Sequence, residues 1–179
     1  RAFCVMEMTA ANLSRRKTHP MLLIRSPEGI PQWVSSMESN KLAVGESNFT
    51  WCERNHEGVF KECDRDVARD VLQKMIRKKT EFLFDSGNVV LARLTMSQTS
   101  WFLRGLSYEN IQHSTDQFRK QLRWNDKTDG KWFDRDGVSI LCYAVASNQA
   151  RAVKSLLKSL DDVTPTKERT RLLVSAVPK

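Results

Sequence analysis

The chain has 179 residues, with 29 Lys or Arg against 21 Asp or Glu, a formal net charge of +8. That length holds one ordinary domain, or one domain and part of another. With 7 Gly, 5 Pro and 4 Cys it is not collagen, low-complexity sequence or a disulfide-dense scaffold, and 40% hydrophobic residues in patterned blocks argue against wholesale disorder.

Taken in chain order, residues 2–14 predict a helix with Phe3, Met6, Ala10 and Leu13 as its apolar stripe. Thr18-His19-Pro20 breaks the pattern. Met21 to Arg25 predicts a buried strand, and Ser26-Pro27-Glu28-Gly29 a turn. Gln32 to Met37, opened by Pro31, predicts one or two helical turns. Residues 39–63 form an irregular polar loop with Trp51 as its anchor. In it, Cys52, His56 and Cys63 have the spacing C-x3-H-x6-C. A closed structural zinc site takes four ligands, and no further Cys or His lies nearby in sequence. No metal is therefore expected, and these three are the residues to which one would go.

The strongest helix follows, capped by Asp64 or Asp66. Val67, Val71, Met75 and Phe82 mark one face, with Leu72, Ile76 and Leu83 beside it. Ser86-Gly87 stops it, since Gly takes the left-handed conformation readily. A second helix is expected from about Asn88 to Leu103, with Val90, Leu91, Leu94, Trp101 and Phe102 apolar, and Gly105 closes it. Ser114-Thr115-Asp116-Gln117 has the form of a capping box, and Phe118 and Leu122 follow it on a third helical piece. Asn125 to Gly130 reads as a linker or hinge.

No stretch reaches the ~18–20 apolar residues of a membrane span, so no membrane partner is expected. The 4 cysteines form no CxxC pair and read as reduced thiols of a cytoplasmic protein. The charge invites a nucleic-acid reading. Its only tight clusters, Arg15-Arg16-Lys17 and Arg77-Lys78-Lys79, fall where helices are expected to end and complement the helix dipole. A solvated basic surface is favoured over a nucleic-acid partner. The 5 tryptophans are not interleaved with basic residues as a base-stacking platform requires, and read as anchors between helices.

The C-terminal part is the most patterned. Asp136 to Asn148, then Ala152 to Lys158, predict a turn, a short helix, a tight connection and a second short helix. Leu141, Ala144 and Val145 are expected to meet Val153, Leu156 and Leu157, with small Ala144 allowing close approach. This block resembles an ankyrin repeat: Gly137, Ser139, Leu141, Ala144, Val153, Leu156 and Leu157 fall in register with G-x-T-P-L-H-x-A-A and V-x-x-L-L. Ile140 replaces the family's Pro, Cys142 its His and Asn148 its Gly, and Asn also tolerates the left-handed conformation. The resemblance implies a protein-binding array, with contacts at Asp136, Gly137, Ser139 and Asn148. A lone repeat cannot bury its own face, so repeats past Lys179 or the helices of 64–124 are expected to cover it.

At the other end, Phe3-Cys4-Val5-Met6-Glu7-Met8 resembles the W-C-x-x-E-L segment of Toll/interleukin-1-receptor-like (TIR) domains. Cys4 and Glu7 match, and a helix, a strand and a Pro-containing loop follow over residues 1–35. In enzymatically active members of that family this glutamate serves NAD hydrolysis. The resemblance implies a catalytic Glu7, and NAD as substrate, in an intact domain of that kind. The family's phosphate loop and first strands precede this helix, so no catalysis and no cofactor are expected of this chain alone.

The expected fold class is mostly α, with a short α/β remnant in 1–60, a helical connector in 61–124 and an ankyrin-type helix pair in 125–179. The chain starts at Arg1 without a Met, and reads as a cut across at least two modules. The expected function is protein–protein interaction in scaffolding or signalling. An NAD-hydrolysing TIR-like domain and a basic nucleic-acid binder are the alternatives.

Overall fold

The computed structural model describes residues 2–14, 21–24, 26–34, 43–49, 63–125 and 127–163. Among them the chain is mostly helical. The helices are α1 (Ala2–Leu13), α2 (Asp64–Asp85), α3 (Val89–Ser97), α4 (Thr99–Phe102), α5 (Thr115–Gln121), α6 (Ile140–Ala146) and α7 (Ala150–Val163). Strands β1 (Met21–Leu23) and β2 (Gln32–Val34) and a 3-10 turn at Val44–Glu46 complete the set. No helix among the described residues is long and apolar enough to cross a membrane.

The chain divides into two compact units, Arg1–Phe82 with Thr99–Glu109, and Leu83–Gln98 with Asn110–Lys179. These cut across the consecutive segments 1–60, 61–124 and 125–179 expected from sequence. Residues 83–98 go with the C-terminal module and 99–109 with the N-terminal one.

In the first unit α1 buries Ala2, Val5, Thr9 and Leu13, while Phe3 is exposed. The buried line runs about 100° round from the expected stripe, and the two share only Leu13. Thr9 fits there because its hydroxyl donates to the Val5 carbonyl at 2.9 Å, which leaves its methyl to pack. Likewise α2 buries Ala68, Leu72, Ile76 and Leu83, whereas Val67 and Phe82 are exposed. Two apolar lines lie side by side on this helix, and periodicity alone does not choose between them. The unit's core joins Val5, Leu13, Val44, Ala68, Leu72, Ile76, Phe102, Leu103 and Leu106.

Gly45 and Gly105 bring two backbones together: a Cβ on Gly45 would lie 2.2 Å from the Gly105 carbonyl carbon. Arg65 of α2 donates to both glycine carbonyls, at 2.9 and 2.8 Å, and lies over the Phe49 ring. Arg77, Lys78 and Lys79 sit inside α2 rather than at its end. Lys79 reaches the Ser14 carbonyl just past α1, which satisfies an orphan acceptor there. Burial lowers the Lys79 ammonium below its ordinary range.

β1 and β2 pair antiparallel, with Leu22 opposite Trp33, and the Gly29 N–H donates to the Ser26 carbonyl in the turn between them. Gln32–Val34 is thus a strand where helical turns were expected; pairing with β1 suits an aromatic and a β-branched residue. The strand expected to be buried has Leu22 and Ile24 exposed.

The second unit begins at the end of α2. There the Gly87 N–H donates to Phe84 and the Asn88 N–H to Leu83, with Gly87 at φ +79°, a Schellman stop. The single helix expected over 88–103 breaks at Gln98. Ser114 caps α5 with both bonds of the capping box, to and from Gln117. α3 packs on α6, α5 on α7, and α6 on α7. The core joins Phe118, Leu122, Trp132, Ile140, Leu141, Tyr143, Ala144, Ala152, Leu156 and Leu160. Val145 and Leu157, expected to face inward, are exposed. The fully buried Ala144 and Ala152 let the helices close up without them. Of the tryptophans, Trp132 is a core anchor and Trp124 packs against the core, but Trp33 and Trp101 are exposed. Trp51 lies outside the described residues.

Candidate functional site

The turn between Phe133 and Ser139 is built by one carboxylate. Asp134 Oδ1 accepts from the N–H groups of Asp136 and Val138, at 3.0 and 2.8 Å. Its backbone closes the same turn, with Asp134 N–H to the Val138 carbonyl and Gly137 N–H to the Asp134 carbonyl. Gly137 stands at φ +83°, a left-handed position that glycine adopts without strain. Ser139 then caps α6, its side chain accepting from the Cys142 N–H.

Asp134 is itself held from below. Its Oδ2 accepts from the Tyr143 hydroxyl at 2.7 Å and from Arg93 Nη1 at 3.5 Å. Arg93 is 1% exposed on α3, which also buries Ala92, Thr95 and Ser97. Its guanidinium grips the buried Asp129 with two bonds, Nη2 to Oδ2 at 2.7 Å and Nη1 to Oδ1 at 3.2 Å. Nε donates to the Leu122 carbonyl, Nη2 to the Arg123 carbonyl, and the plane lies 4.7 Å from the Trp124 ring centre. Every hydrogen-bonding edge of the cation is thereby used, which is what permits its burial. Where a linker or hinge was expected, Asp129 is pinned to α3 and also accepts from the Asn125 N–H.

These contacts set the acid–base character. Burial pushes the Asp129 carboxyl up, but Arg93 and the N–H groups of Asn125 and Arg135 outweigh it and hold the group below its ordinary range. Burial pushes the Tyr143 hydroxyl well up, and its bond to Asp134 pushes it further. Burial, then the Asp134 charge, raises the Cys142 thiol. The site holds a stable ion network and a protonated thiol rather than an activated nucleophile.

Above this base the turn presents Arg135 and Asp136, both exposed. Arg135 Nη2 donates to the Gly87 carbonyl at 2.7 Å, and its Nε lies 3.4 Å from Asp136 Oδ2. The two residues form one wall of a groove of about 520 Å³, whose other lining residues are Gly87, Asn88, Val89, Val90, Leu91 and Leu94. Leu91, one of the apolar residues expected on this helix, is 52% exposed in it. The inversion on α3 follows from Arg93: once its cation turns inward to the two carboxylates, the leucine two residues earlier turns outward.

A second polar seam closes the α6–α7 connection. Asn148 takes φ +53°. Asn110 and Gln112 donate to the Asn148 carbonyl at 3.2 and 3.0 Å, and Gln149 donates to the Ile111 carbonyl and accepts from the His113 N–H.

Of the residues singled out in the sequence, Asp136 and Gly137 lie together at the exposed turn. Ser139 is fully buried, so its side chain serves the helix cap and offers no contact surface. Asn148 is exposed at the α6–α7 connection, with its carbonyl engaged. Glu7 is exposed on α1, opposite the buried line of Val5 and Thr9. Cys63 is partly buried beside the start of α2, and Cys52 and His56 lie outside the described residues. Among the described residues no cluster of His, Cys, Asp or Glu could hold a metal ion. The sequence reading missed Arg93, Asp129, Asp134 and Tyr143. Asp134-x-x-Gly137 carried a usable signal, because Asp at the first and Gly at the fourth position mark a type I turn. Arg93 carried none.

Compared with family models, curated proteins and solved structures, the chain matches none.

Proposed function

We propose that the second unit binds another protein through the turn at 134–138 and the adjoining apolar groove, as a repeat-type interaction module of a cytoplasmic scaffold or signalling protein. The observation that carries this reading is the held turn. Arg135 and Asp136 are presented beside exposed Leu91 on a loop whose carboxylate, Asp134, is anchored in the buried network. A preordered loop loses little freedom on binding, so its contacts translate into affinity. A charged wall beside an apolar floor supplies both orientation and burial.

The resemblance of Gly137–Leu157 to an ankyrin repeat agrees with this use of the turn. So does the packing: α3 lies on α6 and α5 on α7, which supplies the neighbour that a repeat needs to bury its face. The resemblance of residues 1–35 to TIR domains adds a signalling setting, in which Glu7 would act only within an intact domain.

Photo-crosslinking tests the proposal. A benzophenone amino acid at Leu91 in the full chain is expected to capture a discrete protein, and Arg135→Glu with Asp136→Lys should abolish the capture while leaving helical content unchanged. Equal capture from the exposed Lys120 position, or capture that survives the double charge reversal, would overturn it.

A further inference from the structure

The β1–β2 hairpin exposes four large apolar residues within twelve positions: Leu22 at 47%, Ile24 at 61%, Ile30 at 88% and Trp33 at 69%. Leu22 and Trp33 are directly opposite in the register, and Ile24 and Ile30 lie in the connection that joins the two strands. Single exposed apolar residues are ordinary, but a contiguous patch marks a surface that is covered in use. A two-stranded hairpin is also marginal alone, and gains stability from whatever packs on its face.

We infer that this face is a self-association surface, and that its occupant is the same hairpin of a second copy of the chain. Two observations select that partner. First, residues 21–34 contain one Arg and one Glu, so the hairpin itself carries no net charge although the chain carries +8. A nucleic acid or an anionic lipid surface finds no local attraction here, and a like hairpin meets no local repulsion. The exposed, acidic Glu28 at the tip further disfavours insertion into a bilayer. Second, the exposed parts of the four side chains amount to about 500 Å² per copy. A standard interface buries about 800 Å² per partner, with an apolar centre and a polar rim, so the patch has the size of such a centre. Pairing through a two-fold axis closes the contact at two copies, since the same patch is used by both.

The test is sedimentation velocity of the full chain from about 1 to 100 µM. A concentration-dependent dimer is expected, and Trp33→Ser with Ile24→Ser should raise its dissociation constant by about 30-fold or more. Leu91→Ser, an exposed apolar residue of the other unit, should leave the constant unchanged. Hydrogen exchange needs no variant: amides of 21–34 should slow as concentration rises. A chain that stays monomeric throughout overturns the inference, as does a dimer indifferent to the hairpin substitutions. Binding of the monomer to phosphatidylcholine–phosphatidylserine vesicles through Trp33 would overturn it in favour of a membrane.

Discussion

Both units of this molecule are stitched by an arginine that holds backbone carbonyls, and they do it in opposite settings. In the first, Arg65 is only partly buried and spans the carbonyls of Gly45 and Gly105, where two glycine backbones touch. In the second, Arg93 is sealed from water and holds two carbonyls and two carboxylates at once. The limit on the first unit is steric, since nothing larger than hydrogen fits at the crossing. The limit on the second is electrostatic, since its charges are stable only as a complete set.

Arg93→Met breaks that contrast most severely. It leaves Asp129 and Asp134 buried without their cation, a loss of about 3–5 kcal/mol. Native-state hydrogen exchange should show protection collapsing across residues 83–98 and 110–160. Arg65→Met should cost only about 1–2 kcal/mol, because it frees two neutral carbonyls and leaves no buried charge unpaired. Equal losses for the two substitutions would mean that Arg93 is no more central than its counterpart.

The steric limit is probed by Gly45→Ala and Gly105→Ala. Each places a methyl within 2.6 Å of opposing backbone, and Gly105 adds a φ of +77°. Overpacking of this kind costs about 1–3 kcal/mol, with Gly105→Ala the worse because left-handed strain adds to it. Chemical denaturation should place both midpoints below that of Gly87→Ala, where φ is +79° but the added methyl meets nothing within 4 Å.

These two stitches also explain how far the sequence could be read. Elements with local causes were legible: the Schellman stop at Gly87, the capping box at Ser114 and the helix–turn–helix from Ser139 to Leu160 follow from residues a few positions apart. Which face α1, α2 and α3 bury was not. On α1, α2 and α3 two candidate lines compete, and partners 20 to 65 residues away decide between them. Arg93 is the extreme case. A lone arginine among Leu91, Leu94 and Ala92 reads as the solvated side of a helix, and its burial depends on carboxylates 36 and 41 residues later. The candidate site was half legible for the same reason. Asp136 and Gly137 belong to a local turn pattern, while the groove beside them exists because Arg93 turned α3 over.

Acidity separates the units further. Asp129 is held below its ordinary range in the fold, so its contribution is complete above that range. As pH falls through about 4, the unfolded chain takes up the proton first, and the contribution is lost. Tyr143 has the opposite sign in base: its hydroxyl is raised, so stability falls as pH climbs past about 10 and the unfolded chain ionises first. On acidification from neutrality, exchange in the second unit should accelerate before that in the first. Asp129→Asn should remove the acid-side slope while lowering stability at pH 7.

The smallest effect expected is at Ser114. Its side chain accepts from the Gln117 N–H at 3.3 Å, and the Gln117 side chain accepts from the Ser114 N–H at 3.0 Å. Both bonds are exposed; Ser114→Ala removes the first, leaves the backbone-donated second in place, and costs about 1 kcal/mol, confined to the first turn of α5. Gln117→Ala removes only the reciprocal bond and should cost less. The value lies in the ratio to Arg93→Met. α5 packs on α7 through Phe118, and its chain runs on to the Leu122 carbonyl that Arg93 holds. If the network organises the unit, uncapping α5 leaves those contacts in place and only frays the helix start. A Ser114→Ala variant as damaged as Arg93→Met would mean that local helix formation, not the buried cation, sets the stability of the second unit.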